Sequence, residues 1–171
     1  NVTVAESTNA NLNMLEAAGR GDIPVAIGTD IPLAGLKDDA TIEANGLTRI
    51  NCMKQVLAYG DSISWDNLGE IESYSWGYSS LKPVEETAWE FMIEQVHQYP
   101  GQVTIMAVGA CTNVAMAILN DPTFAETTAG IYYMGGSIDV PGNDTPCAER
   151  NWYYDPEAVD VCLRANWPLQ V

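Results

Sequence analysis

The chain has 171 residues, of which 47% are apolar and 18% charged, enough for one domain with a real core. Its 23 acidic against 7 basic side chains leave a net charge of −16, which disfavours nucleic acid or an anionic membrane as partner. No apolar run reaches the ~18–20 residues of a membrane span, and no signal peptide is visible. Both ends read as cut, with Asn1-Val-Thr-Val at one and Pro-Leu-Gln-Val171 at the other.

In chain order, residues 2–18 are predicted as a helix. Val4, Ala5, Leu12, Leu15 and Ala18 fall on one face, and Gly19 is a stop. Residues 22–28 read as a short buried strand with Pro24 near its start. From residue 29 to 80 periodicity is poor, and the stretch is expected to be a long loop or insertion within the single domain. Pro83 is expected to open a helix to Tyr99, with Glu85 and Glu86 at its positive end and Ala88, Phe91, Met92, Gln95 and Val96 as the buried stripe. His97, the only histidine, is expected at the end of that helix in a surface role.

Residues 103–108 form a strongly apolar strand, and Gly109-Ala-Cys-Thr-Asn113 links it to a helix over 114–119 that Asp121-Pro122 ends. Residues 131–134 are another short strand. Asp155-Pro-Glu-Ala starts a helix to about Ala165, with Asp155 as N-cap, and Trp167 opens a last strand. Short apolar strands alternating with helices predict an α/β fold with a mostly parallel sheet and helices on both faces. The four cysteines stand at 52, 111, 147 and 162, with no Cys-x-x-Cys spacing, and are expected as free thiols.

In open α/β sheets the site lies past the carboxyl ends of the strands. Two glycine-containing loops leave such ends here, residues 109–113 and 135–154. The first is neither a P-loop nor a Gly-x-Gly-x-x-Gly fingerprint. The second carries Asn143, Glu149 and Asn151. Amides offer donors and an acceptor, and an ionised carboxylate accepts only, so the three suit a polyhydroxylated ligand; the asparagines suit turn-capping equally well. One histidine and no Gly-x-Ser-x-Gly argue against a nucleophile–base pair.

Several runs, in order, resemble one family. They are Asn1-Val-Thr-Val; Asn9-Ala10 with Leu15-Glu16; Gly19-Arg-Gly-Asp-Ile-Pro-Val25; Pro100-Gly-Gln-Val-Thr-Ile105; Gly109-Ala-Cys-Thr-Asn-Val-Ala115; Met134-Gly-Gly136; Gly142-Asn-x-Thr-Pro-x-Ala-Glu-x-Asn151; and Asp155-Pro-Glu-Ala158. Together they resemble the inosine-uridine-preferring nucleoside hydrolases. The resemblance implies hydrolysis of the N-glycosidic bond of ribonucleosides to ribose and free base, through an oxocarbenium-like transition state and a calcium-bound water. It implies that Asn1, Asn143, Glu149 and Asn151 hold the ribose, that Met134 lines the sugar pocket, and that the main-chain carbonyl of Thr112 binds Ca²⁺. It also implies a small ribonucleoside as partner and is compatible with a homo-oligomer. The family's catalytic and metal-binding aspartates have no counterpart in the chain and are expected outside it. Cys111 stands for the usual Leu, Arg150 for the usual Phe near the base, and Ile63 for the histidine of a mobile lid. A non-catalytic sugar- or nucleoside-binding module that kept the ribose residues is the alternative.

Overall fold

The computed structural model describes residues 4–35 and 77–171, and these fall into two units. The first unit takes residues 4–31 and 77–87, and the second residues 32–35 and 88–171. Asn1 and the Trp65-centred part of the expected long loop lie outside the described residues.

In the first unit, α1 spans Val4–Ala17. Its buried residues are Ala5, Thr8, Asn9 and Leu12, the i, i+3, i+4, i+7 pattern of one helical face. That face lies one step round from the predicted one, because a buried Asn9 is held by hydrogen bonds. Its Nδ2 donates to the Gly77 carbonyl (3.2 Å) and its Oδ1 accepts from the Ser79 N–H (3.2 Å). Gly19 ends the helix at φ 65°, and the Arg20 N–H closes back on the Leu15 carbonyl, as in a Schellman turn. The strand expected over 22–28 is not formed. A single parallel bridge pairs Ile27 with Thr87, and the Val84 N–H donates to Val25 (2.9 Å). Pro24 has no N–H to give a ladder, which leaves room for little more.

The second unit holds α2 (Ala88–Gln98), β1 (Thr104–Ala107), α3 (Thr112–Asn120), α4 (Phe124–Thr127), β2 (Gly130–Tyr133), α5 (Arg150–Tyr153) and α6 (Pro156–Arg164). α2 starts five residues later than Pro83 suggests, since Thr87 is spent on the bridge to Ile27. Its inward stripe is Trp89, Met92, Ile93 and Val96, again shifted by one position from the reading of the sequence. His97 does sit in the last turn of α2, where Nε2 meets Asp121 Oδ2 at 2.5 Å.

β1 and β2 pair in parallel, with Thr104 opposite Gly130 and Ala107 opposite Tyr133. A third segment joins the far side of β2. The Ile131 N–H donates to Leu169 O, the Tyr133 N–H to Val171 O, and the Val171 N–H to Ile131 O. The strand expected from Trp167 is therefore present as a short parallel pairing, bridged at Gln170. Parallel strands need a crossover, and α3 with α4 supplies it between β1 and β2.

Alternation along the strands decides what is covered. Ile105, Ala107 and Ile131 face a core with Val96, Cys111 and Phe124, where Phe124 meets Trp167 edge-on at 5.9 Å. Met106, Val108, Tyr132 and Met134 alternate with them and are exposed. Among the described residues the packed helices α2, α3 and α6 therefore cover one face of the sheet. No helix among the described residues is long and apolar enough to cross a membrane.

Candidate functional site

Both strands of the second unit end at the same edge, and the loops leaving that edge carry the candidate residues. The longer one, between β2 and α5, is folded on itself. The N–H groups of Asn143, Asp144 and Thr145 all point at the Ala148 carbonyl, at 3.1, 3.1 and 3.3 Å. Thr145 Oγ1 accepts from the N–H groups of Cys147 and Ala148, and the Ser137 hydroxyl donates to the Cys147 carbonyl. This knot needs Gly142: a Cβ there would sit 2.2 Å from the Ala148 carbonyl oxygen.

Glu149 is the hinge between knot and helix. It caps α5, and its Oε1 accepts from the Asn151 N–H (2.9 Å). Its Oε2 accepts from the N–H groups of Gly136 (2.9 Å) and Trp152 (3.2 Å), which pins the chain leaving β2 to the start of α5. Burial alone would raise this carboxyl. The N–H donors of Asn151, Gly136 and Trp152, with the charge of Arg150, outweigh it and hold the group below its ordinary value. Glu149 is thus kept ionised, with one further lone pair for a ligand. Trp152 lies flat over Gly135 and Gly136, where an added Cβ would fall 2.2 and 2.8 Å from the indole. The same ring meets Tyr133 edge-on at 6.0 Å.

Asn151 reaches back to the strand ends. Its Nδ2 donates to the Met134 carbonyl just past β2 (2.9 Å) and lies 3.4 Å from the Val108 carbonyl just past β1. The Met134 sulfur is also within 3.2 Å of that amide. Asn143 Oδ1 accepts from the Arg150 N–H (2.8 Å), and Arg150 Nε pairs with Asp144 at 3.1 Å. Met134, Asn143, Glu149 and Asn151 are therefore linked through short hydrogen bonds at one strand edge. Each asparagine also does the structural work that its residue type suits, Asn143 inside a turn and Asn151 across two strand ends.

Thr112 stands apart from that group as the first residue of α3, after β1. Its hydroxyl donates to Asp155 Oδ2 (2.6 Å), so the side chain is committed and only the main-chain oxygen remains for a ligand. A helical carbonyl points along the axis, but its second lone pair stays available. Asp155 is a residue whose full role the sequence did not disclose. Beyond capping α6 through the Ala158 N–H (3.1 Å), it accepts from the Leu33 N–H (2.7 Å) and from Thr112 while 1% exposed. The packing of Trp152 on Gly135 and Gly136 was also missed. The available signal was the Gly-Gly pair itself, which marks close approach of another group.

Among the described residues no group of three or more His, Cys, Asp or Glu side chains could hold a metal ion. Asp155 and Glu149 already accept three hydrogen bonds each. The donor set that calcium prefers, several carboxylate and carbonyl oxygens together, is not assembled by these residues alone.

The family model for the inosine-uridine preferring nucleoside hydrolases matches residues 1–171, the whole chain. The chain belongs to this family. Its relatives include the probable uridine nucleosidase 1 of Oryza sativa subsp. japonica, 36% identical over 171 residues, and the uridine nucleosidase 1 of Arabidopsis thaliana, 38% identical over 172. These alignments take in 100% of the chain but 46% and 45% of those relatives. Among solved structures it is similar to a plant nucleoside hydrolase, PpNRh1, with a TM-score of 0.73 and 33% identity, over 99% of this chain and 48% of that one. An inosine-uridine preferring nucleoside hydrolase from Bacillus anthracis shares the fold at a TM-score of 0.61 and 20% identity, over 94% of this chain and 48% of that one. The chain thus spans slightly under half the length of these relatives. Its α/β order and parallel sheet are those of the nucleoside hydrolase family, whose members act on small nucleosides and are in general metal-dependent.

Proposed function

We propose that the protein to which this chain belongs hydrolyses the N-glycosidic bond of ribonucleosides, releasing ribose and the free base. The observation that carries this is the joining of Met134, Asn143, Glu149 and Asn151 at the carboxyl edge of two parallel strands. In this reading the remaining lone pair of Glu149, the Asn143 amide nitrogen and the Asn151 amide oxygen take ribose hydroxyls. Positive charge develops on the ribose as the bond to the base breaks, and a carboxylate held ionised beside it favours that state over the neutral ground state. Asn1 is proposed as a further ribose contact. The names of the plant relatives, uridine nucleosidases, favour a pyrimidine nucleoside as substrate.

Calcium is proposed as the metal, with the Thr112 main-chain oxygen as one ligand. That single oxygen does not make a site among the described residues, so no catalytic step is assigned to the ion. Glu149→Ala and Asn151→Ala in the full-length protein test the reading. Each is expected to lower kcat/KM for uridine by about 100-fold or more and to weaken ribose binding. Unchanged ribose affinity in both variants would remove the site.

A further inference from the structure

Cys111 and Cys162 are both fully buried, each 0% exposed, although 51 positions separate them. Cys111 occupies the cap position of α3 and makes no side-chain cap bond there. Cys162 lies in the second turn of α6, and its thiol points across the helix interface. Its Sγ is 3.8 Å from the Cys111 carbonyl oxygen, which sets the two residues side by side across that interface. The backbones that carry them are already fastened together. One residue beyond Cys111, the Thr112 hydroxyl is bound to Asp155 at the head of α6, at 2.6 Å. Two cysteines held side by side by two packed helices need only a modest approach of their sulfurs to reach bonding distance. Cys147, by contrast, is exposed in the loop before Glu149.

We propose that Cys111 and Cys162 are a redox pair that closes into a disulfide between α3 and α6 when a small peroxide reaches them. One thiol takes an oxygen atom from hydrogen peroxide, giving a sulfenic acid and one water. The second thiol then attacks that sulfur; its proton and the departing hydroxide leave as a second water. Two S–H bonds are lost and one S–S bond is formed, with the two electrons delivered to the peroxide O–O bond. Burial slows the first step, so exposed Cys147 oxidises sooner. Once the sulfenic acid exists, the thiol beside it captures it before further oxidation. A dithiol reductant reverses the bond by exchange. The tie fixes the chain at the start of α3, immediately before Thr112. It stands on the thiol geometry alone and is independent of the ribose reading.

The test treats the native protein carrying Cys147→Ser with hydrogen peroxide and maps its peptides by mass spectrometry. A cross-linked pair containing Cys111 and Cys162 is expected, lighter by two hydrogens and lost on treatment with dithiothreitol. The cross-linked form should also melt several degrees higher, because a long loop is closed in the unfolded chain. Adding Cys162→Ser should abolish the cross-link and carry Cys111 on to sulfinic acid. If that variant does not fold, the peptide map of the Cys147→Ser protein decides by itself. Separate overoxidation of Cys111 and Cys162, or pairing of either with Cys52, would overturn the proposal.

Discussion

Asp155 shows how much one buried carboxylate can organise. It is 1% exposed, and its two oxygens take the N–H groups of Leu33 and Ala158 and the hydroxyl of Thr112. Removing it leaves α6 uncapped and strands two further donors with no water to satisfy them. Asp155→Ala is therefore expected to destabilise the fold by about 2–5 kcal/mol, read as a lower urea midpoint at unchanged slope. Asp155→Asn keeps one acceptor for the cap and should recover part of that loss. The sequence disclosed half of this residue. Asp followed by Pro and Glu is a local helix-start signal, so the cap was legible. The bonds to Leu33 and Thr112 join residues 122 and 43 positions away, and nothing local encodes them. The same division holds for Asn151. Its residue type suggests polar recognition, while its grip on the carbonyls of Val108 and Met134 follows only from strands being neighbours.

At the level of elements, strong patterns were read correctly and weak ones were not. β1, β2, α3 and α6 appear within two residues of their predicted bounds, since apolar runs and caps mark them. The four-residue helices α4 and α5 were missed, because a single turn has no periodicity to detect. The loop over residues 135–154 was expected to carry the site, yet its closure on the Ala148 carbonyl depends on main-chain bonds that no side chain announces. Its attachment to α5 depends on the charge of Glu149, and this makes it sensitive to acid. A carboxyl whose folded value is depressed adds stability above its unfolded value and loses it as pH falls through the folded one. The ordinary value is 4.5 and Glu149 lies below it. The protection of the Gly136, Asn151 and Trp152 amides, measured against their intrinsic exchange rates, should therefore fall as the pH is lowered past that value. Glu149→Gln should show fast exchange at neutral pH and lose the acid dependence. A wild-type protection that does not change with pH in this range would mean that the carboxylate does not hold the loop.

For the molecule as a whole, the family and the fold are those of the nucleoside hydrolases, while the relatives it matches are about twice its length. The described residues bring Met134, Asn143, Glu149 and Asn151 together but hold no group of three or more carboxylate, His or Cys side chains placed to bind a metal. The 171-residue chain by itself is accordingly expected to turn over uridine and inosine negligibly and to bind calcium weakly. A hydrolysis assay beside a full-length relative, with a calcium titration, checks both. Turnover near that of the relative would show that the missing groups are dispensable. The family resemblance already led to this expectation, since the run that resembles the ribose motif is in the chain and the paired-aspartate motif is not.

The sheet face bearing Met106, Val108, Tyr132 and Met134 has a consequence of a different kind. These side chains project from adjacent parallel strands and remain open to solvent. Water gains by losing contact with such a row wherever another apolar surface is offered. The net charge of −16 opposes the meeting of two copies at low ionic strength, and salt screens that repulsion while leaving the apolar attraction intact. Charge and this row thus act in opposite directions on association, and added salt is expected to shift the balance toward it.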